Sequence, residues 1–342
     1  MENTVILSSK TLKELEETVE ALGEPKFRAK QLHSWIYSKF ASDFDEMSNI
    51  SKAFKANLER NTVLSNVFIK KKQISTDGTV KYLVEFADGN RVECVLMRFD
   101  NRPNLTACVS SQIGCAVGCV FCATGKSGFV RNLTPQEIVE QLMVMQRDTK
   151  LRISNVVFMG QGEPLLNIDN VLKSIEIINT EVGIGIRRIT VSTSGIIPGI
   201  QKLKEIDFQA TVALSLHAPN SQVRQKLMPV ENKYNINNVI KAMEGLVNHT
   251  GRRATIEYTI IKGVNDSLED AHEVLALLKN LHCNINIIPY NPACNEDFAK
   301  PSMEQINKFK FILERSSHKV TVRLERGADI DAACGQLRSR AE

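Results

Sequence analysis

From about residue 104 onward, short apolar runs recur at 105–110, 153–160, 187–194, 209–216, 254–261 and 284–290, each leading into a stretch with helical spacing. Strands that alternate with helices pair in parallel, because each crossover helix returns the chain to the same edge of the sheet. Parallel sheets of this kind put ligand sites at the carboxyl ends of their strands. Six strand–helix units are too few for a regular eight-fold barrel. The pattern therefore predicts an α/β fold built as a partial, open barrel, with a flat doubly wound sheet as the other compatible arrangement. One helix start is well marked: Thr134-Pro135-Gln136-Glu137 supplies an N-cap, a proline in the first turn and a capping-box glutamate.

The first hundred residues have other periods. Residues 9–61 read as three helices, the first capped by Ser9 and striped with Leu12, Leu15, Val19 and Leu22, the second after Pro25, the third near 51–60. Short strands follow at Val67-Phe68-Ile69, Tyr82-Leu83-Val84 and Val92 to Met97, with tight turns at Asp77-Gly78 and Asp88-Gly89. The expected division is a helical accessory domain over 1–62, a small β-meander over 63–100 and the open barrel over 101–342.

Composition narrows the class. Apolar residues make up 43% and charged residues 24% of 342, the balance of an ordinary globular protein able to bury a sizeable core. There is no run of about 18 apolar residues and no basic-then-apolar leader at Met1-Glu2-Asn3-Thr4, so a cytoplasmic protein without membrane attachment is expected. The formal charge of +4 neither demands nor excludes nucleic acid. Basic clusters at Lys70-Lys71-Lys72, Arg187-Arg188, Arg252-Arg253 and Arg323 with Arg326 are candidate phosphate contacts, or simply solvated faces.

In a reducing compartment, eight cysteines point to metal or catalytic work rather than to a disulfide framework. Three of them, Cys115, Cys119 and Cys122, form a CxxxCxxC triplet. Three thiolates from one loop can each hold one iron of a [4Fe–4S] cube, which leaves the fourth iron open to a small molecule. A closed zinc site needs a fourth ligand, and no second cysteine pair follows closely. The other strand ends are polar: Gly160-Gln161-Gly162-Glu163-Pro164, Ser192-Thr193-Ser194-Gly195, Ser215-Leu216-His217 and Tyr290-Asn291-Pro292. Hydroxyls, an imidazole, an amide and a carboxylate suit a ribose, an ammonium or a purine edge, and the two glycines let backbone approach a ligand.

The triplet with Phe121 before its last cysteine, together with Gly160 to Pro164, resembles the radical S-adenosylmethionine superfamily. Three further stretches narrow the resemblance: Ser110-Ser111-Gln112-Ile113-Gly114-Cys115, Leu214-Ser215-Leu216-His217-Ala218-Pro219 and Gly327 to Leu337 around Cys334. With Val92-Glu93-Cys94-Val95-Leu96, these are similar to the dual-specificity rRNA/tRNA adenosine C2-methyltransferases over almost the whole chain. Gln161 stands where that family more often has methionine, and Cys94 where a small polar residue is usual.

The resemblance implies a mechanism. Adenine C2 is electron-poor and cannot act as a nucleophile toward a sulfonium, so a carbon radical must do the bonding, and the cofactor supplies it. Cys115, Cys119 and Cys122 would hold one [4Fe–4S] cluster whose open iron chelates S-adenosylmethionine. Cys334 would take a methyl group from one S-adenosylmethionine. A second, cleaved at the cluster, would activate that methyl group for addition to C2. Glu93 would accept the C2 proton, and Cys108 would release product through a transient disulfide with Cys334. Gly162, Glu163, Ser192, Ser215, Leu216, His217 and Asn291 would bind S-adenosylmethionine, Glu163 at its ammonium. Cys94, Cys283 and Cys294 match no reactive position. Implied partners are 23S rRNA at the peptidyl transferase centre, tRNA beside the anticodon, and an electron donor such as flavodoxin or ferredoxin. A monomer is expected, since RNA must reach the strand ends. The rival activities are adenosine C8 methylation of 23S rRNA, as in antibiotic resistance, and a non-catalytic metal-stabilised RNA-binding protein.

Overall fold

The computed structural model describes residues 5–99, 102–291 and 297–338. Three helices open the chain: α1 (Leu12–Ala21), α2 (Phe27–Tyr37) and α3 (Lys52–Asn61), with β1 (Val5–Ile6) paired in parallel to β2 (Thr62–Val63). The first cap is Thr11 and not Ser9. Thr11 Oγ1 accepts the N–H of Glu14, and the Glu14 carboxylate returns to the Thr11 N–H, which completes a capping box that Ser9 cannot form two residues earlier. Leu15 and Val19 are buried with Leu32, Ile36, Phe54 and Leu58 of the other two helices. Each such side chain taken from water contributes about 1.5–3 kcal/mol.

A ten-stranded sheet carries the rest. In space its order is β14-β13-β12-β11-β10-β9-β6-β5-β4-β3. The meander β3 (Phe68–Ile74), β4 (Val80–Glu85) and β5 (Arg91–Phe99) is antiparallel and runs straight on into β6 (Arg102–Cys108), so the same sheet spans both sides of residue 100. After β6 come a small antiparallel hairpin, β7 (Gln112–Gly114) with β8 (Phe129–Asn132), and between its arms the one-turn α4 (Ala123–Lys126). Then the alternation sets in. In order, α5 (Pro135–Thr149), β9 (Asn155–Phe158), α6 (Ile168–Thr180), β10 (Ile189–Thr193) and α7 (Ile197–Glu205) lead to β11 (Thr211–Ser215), α8 (Ser221–Leu227) and α9 (Ile236–Thr250). The chain closes with β12 (Ala254–Ile260), α10 (Leu268–Leu277), β13 (Cys283–Pro289), α11 (Met303–Leu313) and β14 (Lys319–Val322).

All six expected strands are present, and β6 and β9 to β14 run parallel to one another. The sheet is not closed: β14 is an edge strand and β6 pairs on its far side with β5. β14 is a seventh parallel strand that the apolar pattern did not announce, because only Val320 of its four residues is buried. Thr134 caps α5 with the expected capping box and Pro135 in the first turn. Gln141 of that helix is wholly buried and clamps the turn after β6: Ser110 N–H donates to its Oε1 (2.7 Å) and its Nε2 donates to Ser110 O (2.9 Å). That clamp fixes where the cysteine loop leaves the sheet.

Candidate active site

The carboxyl ends of the parallel strands surround a cavity of about 750 Å³. Cys115, Cys119 and Cys122 line it from the loop between β7 and α4. The loop is held by Cys115 N–H to Gly128 O (2.8 Å), Val120 N–H to Leu227 O (3.0 Å) and Cys122 N–H to Cys119 O (3.1 Å). Gly125 is required here: a Cβ would stand 2.8 Å from Cys119 O and 2.9 Å from Cys119 N. Val120 and Phe121 pack with Leu227 and Met228, so the thiols sit in an apolar shell. Burial pushes the Cys115 thiol up to about 12 and raises those of Cys119 and Cys122 as well. Three soft donors in an apolar shell fit an iron–sulfur cluster, whose irons would deprotonate a ligating thiol outright.

The second strand end contributes Glu163. Its carboxylate accepts from Leu165 N–H (3.0 Å) and Ser194 N–H (2.7 Å), while its own N–H donates to Gln112 Oε1 (2.8 Å). Burial raises its pKa and the Ser194 and Leu165 amides oppose that. The glycines beside it serve the protein's own packing. A Cβ on Gly160 would meet Ser110 Oγ at 2.6 Å, and one on Gly162, at φ +98°, would meet Gln112 Cβ at 2.6 Å. Gln161, the departure from the usual methionine, is buried and its Oε1 accepts from Glu93 N–H (2.9 Å), tying β5 to this turn.

Ser192, Ser215, His217 and Asn291 also line the cavity, with Ser192 Oγ 3.2 Å from Ser215 Oγ. Burial, with the Arg224 charge adding to it, pulls His217 down to about 3, so the ring is neutral. Its Nδ1 accepts from Thr259 N–H (2.9 Å), which leaves the proton on Nε2. Asn291 Nδ2 is buried without a partner in the described residues. Leu216 does not line the cavity among the described residues. Its side chain joins the hydrophobic core and its N–H is taken by Glu257 O (3.0 Å).

Cys334 reaches the same cavity from the C-terminal segment and is exposed. Ala123 N–H donates to Gly335 O (2.7 Å) and Thr124 Oγ1 to Leu337 O (2.8 Å), so this segment lies directly on the residues that follow Cys122. Cys108, at the end of β6, packs with Leu337, and burial pushes its thiol up to about 12, with Cys334 adding to the effect and Arg323 opposing it. The described cysteines are all free thiols. Arg323, in sequence a candidate phosphate contact or solvated charge, lines the cavity. Cys334 above all holds its guanidinium protonated, against the effect of burial and with help from Glu257 and Cys108. A positive charge thus lies near the Cys334 thiol.

Glu93 is buried and does not line the cavity among the described residues. Its carboxylate pairs with Lys81 (3.1 Å) and accepts from Arg338 N–H (2.7 Å), behind the Cys334 segment. Cys94 is buried in the core, and burial pushes the thiol of buried Cys283 up to about 12. Cys294 lies outside the described residues, as does Pro292. Lys70 and Lys72 are engaged by Glu85 and Asp148, whereas Arg187 and Arg188 are exposed. No helix among the described residues is long and apolar enough to cross a membrane.

An open parallel barrel with three cysteines in the loop after its first parallel strand defines a radical S-adenosylmethionine enzyme, and the family model of that superfamily matches residues 109–278. A second family model, the ribosomal RNA large subunit methyltransferase N-terminal domain, matches residues 6–64. Probable dual-specificity RNA methyltransferases RlmN are similar over nearly the full length. That of Alkaliphilus oremlandii is 48% identical over 98% of this chain and 97% of its own. That of Thermotoga sp. strain RQ2 is 46% identical over 99% and 98%. The crystal structure of a radical SAM methyltransferase from Sphaerobacter thermophilus superposes with a TM-score of 0.92 at 43% identity, covering 98% of this chain and all of that one. The chain belongs to the RlmN family of radical S-adenosylmethionine methyltransferases.

Proposed function

We propose that this enzyme methylates C2 of an adenosine in 23S rRNA, at the peptidyl transferase centre, and of an adenosine beside the anticodon in tRNA. The methyl group is carried on Cys334 and two S-adenosylmethionine molecules are used per turnover. One observation carries this reading: Cys334 and the three cysteines of the loop wall the same cavity. Cys115, Cys119 and Cys122 would hold the [4Fe–4S] cluster, which when bound would supply an electron to S-adenosylmethionine. Glu163, Ser192, Ser215, His217 and Asn291 orient that molecule through its ammonium, ribose and adenine.

The remaining roles fall to thiols and carboxylate. Cys334 is exposed, so a sulfonium methyl can reach it, and the Arg323 charge lies beside it on the same cavity wall. Cys108, which packs beneath the same segment, takes the role of releasing product. Its thiolate attacks Cys334 Sγ, and the S–S bond forms as the Sγ–C bond to the product breaks. The electron pair leaves on the product carbon, which takes up a proton, and an external thiol reduces the disulfide before the next turnover. Glu93 serves as proton acceptor once the segment that covers it lifts, since Arg338 N–H now occupies one of its oxygens. A flavodoxin- or ferredoxin-type protein reduces the cluster, and the enzyme works as a cytoplasmic monomer. Phosphate contacts by the helical module and the exposed arginines position the RNA, so its affinity should fall steeply between about 50 and 200 mM salt.

Anaerobic turnover with an rRNA fragment and with tRNA tests the reading. It should yield 5′-deoxyadenosine, 2-methyladenosine and a methyl group on Cys334 together. Methylation at C8 would move the enzyme to the sister activity. Colourless protein holding zinc and no sulfide would reduce it to a metal-stabilised RNA binder.

A further inference from the structure

Four neighbouring strands place Ser215, Glu257, Asn286 and Thr321 in register, and all four side chains line the cavity. Asn286 Nδ2 donates to Glu257 Oε1 (3.2 Å), and Thr321 Oγ1 donates to Asn286 Oδ1. Glu257 is the one charged member of this row. It is 4% exposed, and its Oε2 is buried without a hydrogen-bond partner in the described residues. A buried acceptor in that state is stabilised by any ligand that brings it a donor. None of the roles given above uses it.

Two residues beyond Thr321, Arg323 lines the same cavity, and its charged neighbours are Cys334, then Glu257 and Cys108. Ser192 and Ser215 hold one end of the row and Thr321, two residues before Arg323, the other, so Glu257 lies between the serines and Arg323. Glu257, Arg323 and Cys334 thus put an acceptor, a donor and the proposed methyl carrier on the wall of one cavity. Adenine presents the matching groups along one edge: the N6 amino donor, the N1 acceptor, then C2.

We propose that Glu257 and Arg323 read the target base, Glu257 Oε2 accepting from the N6 amino group and Arg323 donating to N1, so that C2 faces Cys334. This deepens the proposed function and rests on it. Guanine fails at each position. Its O6 would oppose the carboxylate, its N1–H would oppose the guanidinium, and an amino group already occupies its C2.

The test removes each half of the contact separately and then both. The substrates are an rRNA fragment and the same fragment with purine ribonucleoside, which lacks the amino group, at the target. The enzymes are wild type and Glu257→Gln. Because Asn286 holds the first side-chain oxygen, the amide would point its NH₂ group at the amino donor. Each change alone should lower kcat/KM by roughly 10–100-fold, the effect of a hydrogen bond to a charged group, and the two together should cost no more than one. S-adenosylmethionine affinity, RNA-independent methylation of Cys334 and iron content should be unchanged in Glu257→Gln. Losses that multiply, or a wild type indifferent to the amino group, would overturn the proposal. So would weaker S-adenosylmethionine binding, which would place Glu257 on the cofactor. Should Glu257→Gln not fold, the wild-type comparison of the two RNAs still decides. A wild type that methylates neither RNA would instead sink the proposed function.

Discussion

Two segments bring cysteine to one cavity, and they are built differently. The loop from Cys115 to Cys122 is fastened by backbone hydrogen bonds and roofed by Leu227 and Met228, with none of its thiols exposed. The Cys334 segment has little core of its own. Leu337 is its main apolar anchor, and polar tethers do the rest: Gly327 N–H to Asp77 (3.0 Å), and Ser75 Oγ (2.6 Å) with Thr76 N–H (3.1 Å) to Asp329. The difference follows from what each must do. On the proposed roles, a cage for a resident cluster gains from being preorganised, whereas a thiol that would be loaded, used and released in every cycle must stay accessible and its segment movable.

The largest expected effect separates the two segments outright. Cys334→Ala should abolish RNA methylation yet leave iron content and S-adenosylmethionine binding intact, while Cys115→Ala should lose both iron and activity. Iron analysis beside a methylation assay decides, and loss of iron in Cys334→Ala would break the distinction. Next comes Gly125→Ala, which forces a Cβ against the Cys119 backbone. Overpacking of this kind costs about 1–3 kcal/mol, and here it should show as poor cluster retention after anaerobic reconstitution.

Acidity probes the rigid side. His217 has a folded pKa of about 3 against an ordinary 6.5, so between those values the unfolded chain binds a proton that the native state does not. Stability of the metal-free protein should therefore fall as pH drops through that window, by at most about 1.4 kcal/mol per pH unit from this residue. Urea titrations at pH 7 and pH 5 measure it, and His217→Gln should flatten the slope. The smallest effect concerns the tethered side. Asp329→Ala should speed alkylation of Cys334 severalfold without moving the melting temperature, while buried Cys108 stays slow in both proteins; equal rates at Cys334 would show that the tether does not govern access.

Much of this was legible in the sequence. The six apolar runs are strands because β-branched residues between turn signals have few other outcomes, and the Thr134 box caps α5 because cap chemistry is local. The cysteine triplet and the polar strand ends were visible for the same reason. What escaped notice was hidden by pattern. Glu257 sits inside Thr255-Ile256-Glu257-Tyr258-Thr259-Ile260, where alternation makes a charge look like an outward-facing residue, yet both faces of this strand are covered. Arg323 reads as a phosphate contact or a solvated charge because it lies close to Arg326, and the short strand before it buries only one side chain.

The sequence by itself determined the elements and the chemical types at their ends, since spacing, caps and turns act within a few residues. Only the tertiary structure decided which of those groups meet. Thr124 and Leu337 are 213 residues apart and hydrogen bonded, which lays the Cys334 turn on the cluster loop, and the curl of an unclosed sheet carries Arg323 to within 3.9 Å of Met159 Sδ. Those encounters depend on how seven parallel strands twist and pack as one body, and no local pattern encodes that sum.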